Sequence, residues 1–78
     1  MNLSGEPIPE DCILNSFESM GAINGVKRWR SQNKKRLYTW DSLHGEIEVF
    51  NKRGKHLGVL NCEGTMIKSP VKGRKIYV

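Results

Sequence analysis

The hydrophobic pattern changes period partway along the chain. Upstream of residue 21, Ile13, Phe17 and Met20 recur at helical spacing with Leu14 beside them. This predicts a short helix from Pro9, with Glu10 and Asp11 in the first turn, where they suit the positive end of the helix dipole. Gly21 is the expected stop. Met1 to Ile8 reads as a loose arm, punctuated by Gly5 and Pro7, and Gly21 to Gly25 reads as a connection. From Leu37 onward the signals are those of strands and tight turns. Leu37 to Trp40, Gly45 to Phe50, Lys55 to Leu60 and Thr65 to Lys68 are predicted strands. Asn51-Lys52-Arg53-Gly54 and Asn61-Cys62-Glu63-Gly64 are turns with glycine at the positive-φ position. Leu57 and Val59 are expected on one face of their strand, and Pro70 ends the last short strand. Lys72 to Val78 closes the chain as a basic edge strand. The expected fold is therefore α+β, a short N-terminal helix packed on an antiparallel meander.

The chain has 78 residues, which is enough for one domain with a thin core. No apolar run approaches a membrane span, and the N-terminus carries no basic and apolar signal pattern. The chain is open to being a fragment of a longer protein. Cys12 and Cys62 are far apart and form no CxxC pattern, so clustered zinc ligands are not expected. Two unpaired thiols are the simpler reading, and a disulfide between them stays open.

Charge divides the chain. Residues 1–26 carry four acids and no Lys or Arg, a charge of −4. Residues 27–78 carry all 13 Lys and Arg against four acids, a charge of +9. Such a basic module attracts polyanions, with nucleic acid the leading partner class and an acidic masking protein the second. Lys27, Arg28, Arg30, Lys34, Lys35 and Arg36 cluster around Trp29, and Lys72 and Lys75 lie near the end. These eight are the candidate RNA-binding residues. Trp29 is open to a stacking role or a core role.

One stretch departs from this basic background. Residues 38–50 hold Asp41, Glu46 and Glu48, three of the four acids after residue 26, together with His44. In an extended segment His44, Glu46 and Glu48 would share one face, and Ile47 and Val49 would share the other. RNA carries its own nucleophile, so cleavage needs a base, an acid and a cation. Glu46 and Glu48 are base candidates, His44 is the acid candidate oriented by Asp41, and Arg74 supplies the cation. The plainer alternatives are a structural histidine and cross-strand ion pairs. Asp-x-x-His-x-Glu also offers divalent-metal ligands, though a site would need more from elsewhere. No metal and no cofactor is expected.

Tyr38-x-Trp40-Asp41-Ser42-x-His44-Gly45-Glu46-x-Glu48 resembles the signature of the cytotoxic ribonuclease domain of ribosome-cleaving colicins, cloacin and related bacterial competition toxins. The resemblance continues through Gly54-x-His56-Leu57-Gly58, Lys68-x-Pro70 and Arg74-x-Ile76, about residues 36–78. It implies a strongly twisted antiparallel sheet with a short N-terminal helix. It also implies cleavage of small-subunit ribosomal RNA in the decoding centre. Asp41, His44, Glu48 and Arg74 fall on catalytic positions, with Glu46 beside them and Glu48 as general base. His56 receives no catalytic role. Such domains sit at the C-terminus of larger delivered toxins, act in the target-cell cytoplasm and are neutralised by acidic immunity proteins. The whole chain, 1–78, is read as one such domain and as a monomer, with 1–26 an acidic arm and helix and 27–78 the basic catalytic sheet. Two features depart from the family: a shorter turn at Asn61–Gly64, and Phe50 where tyrosine is common. A ribonuclease of the same fold acting on transfer RNA or another RNA, and an inert RNA-binding module, are the alternatives.

Overall fold

The computed structural model describes residues 5–78. Six strands form one sheet in sequence order: β1 (Glu18–Ile23), β2 (Val26–Arg30), β3 (Arg36–Asp41), β4 (Glu46–Asn51), β5 (His56–Leu60) and β6 (Met66–Lys68). All neighbours pair antiparallel. The meander expected downstream of residue 36 is present, but the α+β class is not. Among the described residues there is no α-helix, only a 3-10 turn at Ile13–Ser16.

The physical reason lies in residues 18–25. Asn24 and Gly25 both adopt positive φ, 53° and 79°, as a two-residue hairpin turn of the primed type requires. That turn folds Glu18–Ile23 back on β2 and turns a would-be helix into an edge strand. Gly21, at φ 73°, sits in the bulge between Ser19 and Ala22 and caps no helix. The apolar residues upstream find other uses. Leu14 is fully buried, and Phe17 stacks on Tyr38 with ring centroids 4.2 Å apart.

Directly paired residues point to the same side of the sheet, so the register divides it into two faces. Trp29, Tyr38 and Val49 form one row, and Trp40 and Ile47 another, on the face that carries the main core with Cys12 and Leu14. Trp29 is buried there, which settles its role as packing. Burial also raises the Tyr38 phenol's pKa, against a smaller lowering by Arg36, so the stacked ring stays neutral. The second face carries Leu37 paired with Phe50, and Thr39 paired with Glu48, which in turn pairs with Val59.

A bulge corrects the reading of β5. Val49 pairs with Gly58 but Phe50 pairs with His56, leaving Leu57 as the extra residue. Leu57 packs against the main core, while Val59 stays on the second face opposite Glu48. The two therefore do not share a face.

Both ends differ from expectation. The segment from Gly5 is tied down, because Glu6 N–H donates to the Ser42 carbonyl (2.7 Å) and Trp40 Nε1 to the Glu6 carbonyl (2.8 Å). The first four residues of the expected arm lie outside the described residues. Cys12 and Cys62 are joined in a disulfide with their Cα atoms 4.5 Å apart, not left as free thiols. The β5–β6 turn delivers Cys62 to the N-terminal segment, where Ile13 N–H also donates to its carbonyl (2.8 Å). Residues 72–78 form no strand. Gly73 at φ 86° turns the chain, and only Lys55 and Lys75 make a bridge. From there the tail reaches β2, where the buried Arg28 donates through Nη2 to the Tyr77 carbonyl (2.8 Å).

Candidate active site

The second face ends in a row of polar groups. Asp41 closes β3 and pairs with Glu46, the first residue of β4. Two residues along, Thr39 pairs with Glu48. The segment is not extended throughout, however. Residues 42–45 form a tight turn in which Gly45 N–H donates to the Asp41 carbonyl (2.8 Å). Gly45 has φ 66°, and a Cβ there would run into the Glu6 carboxylate. His44 therefore reaches the site from the turn and not by strand alternation.

Asp41 organises that turn. Its Oδ1 accepts the N–H groups of Leu43 (3.1 Å) and His44 (3.2 Å), and its Oδ2 lies 2.8 Å from His44 Nδ1. Partial burial pushes the Asp41 pKa up, but the His44 ring, the two backbone N–H groups and the His44 charge outweigh it and hold the carboxyl below its ordinary value. The His44 ring is half exposed, and its hydrogen bond to Asp41 uses Nδ1.

Each glutamate meets a cation. Glu46 Oε1 accepts from Lys68 Nζ at 2.9 Å, and Glu48 Oε1 accepts from Arg74 Nη1 at 2.7 Å. Glu48 Oε1 also lies 2.9 Å from His56 Nε2, but the angle is poor and that buried nitrogen has no aligned partner. Glu48 Oε2 has no hydrogen bond among the described residues. Asp41, His44, Glu46, Glu48, Lys68 and Arg74 line one cleft of about 220 Å³. The five candidate catalytic residues are thus brought together, with Lys68 and His56 added. The sequence named both only as parts of a motif, and the β5 bulge explains why His56 was not placed in the site.

The candidate RNA-binding residues divide. Lys27, Lys34, Lys35 and Arg36 are exposed on β2, the β2–β3 turn and the start of β3. Lys72 and Lys75 are exposed in the tail that carries Arg74. Arg28 is buried against Tyr77, and Arg30 is held by Glu18 through bonds of 2.9 to 3.1 Å. Those two are structural in this fold and add little to an open basic surface.

Asp41, His44 and Glu46 each bring one ligand-type atom within 4.8 Å of the others. The carboxylates are already engaged, Asp41 by the Leu43 and His44 backbone N–H groups and the His44 ring and Glu46 by the Lys68 ammonium, so an ion would have to displace these partners.

Comparison with known proteins follows the same outline. Residues 18–77 match the family model described as Cytotoxic. Cloacin of Escherichia coli is 39% identical over 51 residues, which is 63% of this chain and 9% of cloacin. Colicin E3 of the same organism is 38% identical over 52 residues, 64% of this chain and 9% of the colicin. Colicin E6 is 37% identical over 51 residues, again 9% of its length. The chain matches less than a tenth of each of these relatives. The family match begins at residue 18, well before the motif-bearing stretch, and takes in the β1–β2 hairpin. Since the model covers most of the sequence, the chain belongs to the Cytotoxic family.

Proposed function

We propose that this domain is the ribonuclease of a bacterial toxin and cleaves small-subunit ribosomal RNA in the decoding centre, stopping translation. One observation carries the reading: a carboxylate bound to an arginine and a histidine oriented by an aspartate line the same cleft. Family membership and the similarity to cloacin and colicin E3 support it.

Glu48 acts as general base through Oε2, taking the proton of the ribose 2′-hydroxyl as the O2′–P bond forms. His44 protonates the leaving 5′-oxygen through Nε2 as the P–O5′ bond breaks. A 2′,3′-cyclic phosphate and a 5′-hydroxyl result. Arg74 and Lys68 meet the charge that builds on the phosphorane, as preorganised cations do best in a partly dry site. Asp41 holds the imidazole through Nδ1 and so turns the ring for proton transfer. Carboxylate, imidazole and guanidinium suffice for each role, so the reaction is metal-independent in this scheme. The exposed lysines of residues 27–36, with Lys72 and Lys75, hold the RNA backbone. The domain is delivered as part of a larger toxin, acts as a monomer on the ribosome in the target-cell cytoplasm, and is neutralised by an acidic immunity protein that covers the basic face.

The test is to incubate the purified domain with intact bacterial ribosomes and map the ends of the small-subunit RNA. A single cut near its 3′ end is expected, slowed by a factor of about 10²–10⁴ in Glu48→Gln, the range for removing a general base. Intact ribosomal RNA with cleaved transfer RNA would move the substrate to the alternative reading. Cleavage of a short RNA copying that site, present in buffer and lost in EDTA, would end the metal-free scheme.

A further inference from the structure

We propose that His56 is a positioning residue for Glu48. Its ring, locked in one tautomer by the Val71 backbone, holds the carboxylate at Oε1 and leaves Oε2 to take the proton. The inference deepens the ribonuclease reading and rests on it.

His56 is 1% exposed, among the most deeply buried side chains of the described residues, and the acid–base scheme does not use it. Its Nδ1 lies 2.9 Å from the Val71 backbone nitrogen. A peptide N–H can only donate, so Nδ1 is the acceptor and carries no proton. In the neutral ring the proton is then on Nε2. That Nε2 lies 2.9 Å from Glu48 Oε1 and has no aligned partner among the described residues. The Phe50 ring meets the imidazole edge-on at 5.3 Å and limits its swing. A buried N–H left without a well-aligned acceptor is costly and is rarely kept without a use. Among the described residues, the anion beside it is the proposed base. A small movement of Glu48 onto substrate would bring the donor into line, as catalytic hydrogen bonds often tighten in the complex.

The same ring ties the base to the cation. Arg74 donates to the same Oε1 at 2.7 Å, and Arg74 N–H donates to the Val71 carbonyl at 3.1 Å. His56 N–H also donates to the Arg74 carbonyl at 3.1 Å. The turn that carries Arg74 is thus held on both sides of His56, and Oε1 accepts from Arg74 with His56 Nε2 also 2.9 Å away. Oε2 alone is open to a substrate proton.

Three variants test this. His56→Leu removes the donor with similar volume. His56→Gln restores an N–H near the place of Nε2. Val71→Pro deletes the backbone donor that holds Nδ1 while leaving the imidazole in place. For folded His56→Leu, kcat on ribosomes is expected to fall about 100-fold with KM little changed, the pattern of a lost transition-state interaction. His56→Gln should recover about tenfold of that, since it keeps a donor. Val71→Pro should shift the acid limb of the kcat–pH profile, and it covers the case in which His56→Leu does not fold. Wild-type kcat in folded His56→Leu, or an unmoved pH profile in Val71→Pro, would overturn the inference.

Nitrogen-15 NMR of the wild-type ring gives a reading independent of activity. A protonated Nε2 and bare Nδ1 are expected, and the opposite tautomer refutes the lock. If the wild-type domain cleaves no RNA, the ribonuclease reading fails by itself. The Glu48 carboxyl titration then decides the positioning claim. Its midpoint should move between wild type and a folded variant, His56→Leu or Val71→Pro, and an unmoved midpoint overturns it.

Discussion

Asp41 uses two oxygens to hold three donors, and the whole His44 turn depends on it. Because its folded pKa is depressed, it stabilises the fold above its unfolded value of about 3.9, and that contribution is lost as pH falls through the folded value. Asp41→Asn keeps the shape but cannot titrate. Its stability should be lower than wild type near neutrality, and the difference should shrink as acid is added. Urea unfolding midpoints followed from about pH 6 down to about pH 2 give the comparison, and parallel curves would refute the assignment. Residue-scale parity also explains the hidden histidine. Counting by twos along β5 from Val59 puts His56 on the core side, away from Glu48. The bulge at Leu57 reverses that count and turns the imidazole toward the carboxylate. A one-residue irregularity thus decides which of the two histidines neighbours the base.

At the scale of elements, the turns carry most of the instruction. Asn51 and Asn61 play the same part in successive hairpins. Asn51 Oδ1 accepts the N–H groups of Arg53 and Lys55, and Asn61 Oδ1 those of Glu63 and Thr65. Each turn then ends on a glycine at φ 88°. The pattern Asn-x-x-Gly is legible from the sequence because the side chain and the glycine meet the turn's needs locally. The Asn24–Gly25 turn is equally local, yet helical spacing upstream masked it. Its importance can be measured. No atom lies within 4 Å of a Cβ built at Gly25, so Gly25→Ala adds backbone strain alone. A cost of about 1–2 kcal/mol is expected from forcing a Cβ into the left-handed region. Chemical denaturation would report it, and a neutral result would mean that β1 contributes nothing to the cooperative fold.

For the whole molecule, two end segments brace one sheet. The N-terminal segment packs Cys12 and Leu14 against the core face, and the tail links β5 to Arg28 of β2. The disulfide closes a separation of 50 residues between the first brace and the β5–β6 turn. Loop-closure entropy for a loop of that size predicts a contribution of about 4 kcal/mol. Thermal unfolding with and without reductant should therefore show a large fall in Tm, matched by the Cys12→Ser, Cys62→Ser double variant. Equal Tm values in both states would show that packing of Leu14 alone secures the segment. Such dependence is expected of a chain this short, whose core is thin.

The sequence by itself determined the pairing of β4 with β5 and β5 with β6, the separation of Ile47 and Val49 from Glu46 and Glu48, and the grouping of Asp41 with His44. All of these follow from alternation, turn chemistry or spacing of a few residues, which act locally. Only the tertiary structure decided the rest. The joining of Cys12 to Cys62, the burial of Arg28 under Tyr77, and the approach of Arg74, Lys68 and His56 to the glutamates are contacts between distant parts of the chain. They depend on a bulge, on where the tail turns at Gly73, and on which segment covers which face. The helix expected near residues 9–20 failed for the same reason. Helical spacing there was a local preference, and over residues 18–23 ladder pairing with β2 outweighed it, because an isolated short helix is marginal in water.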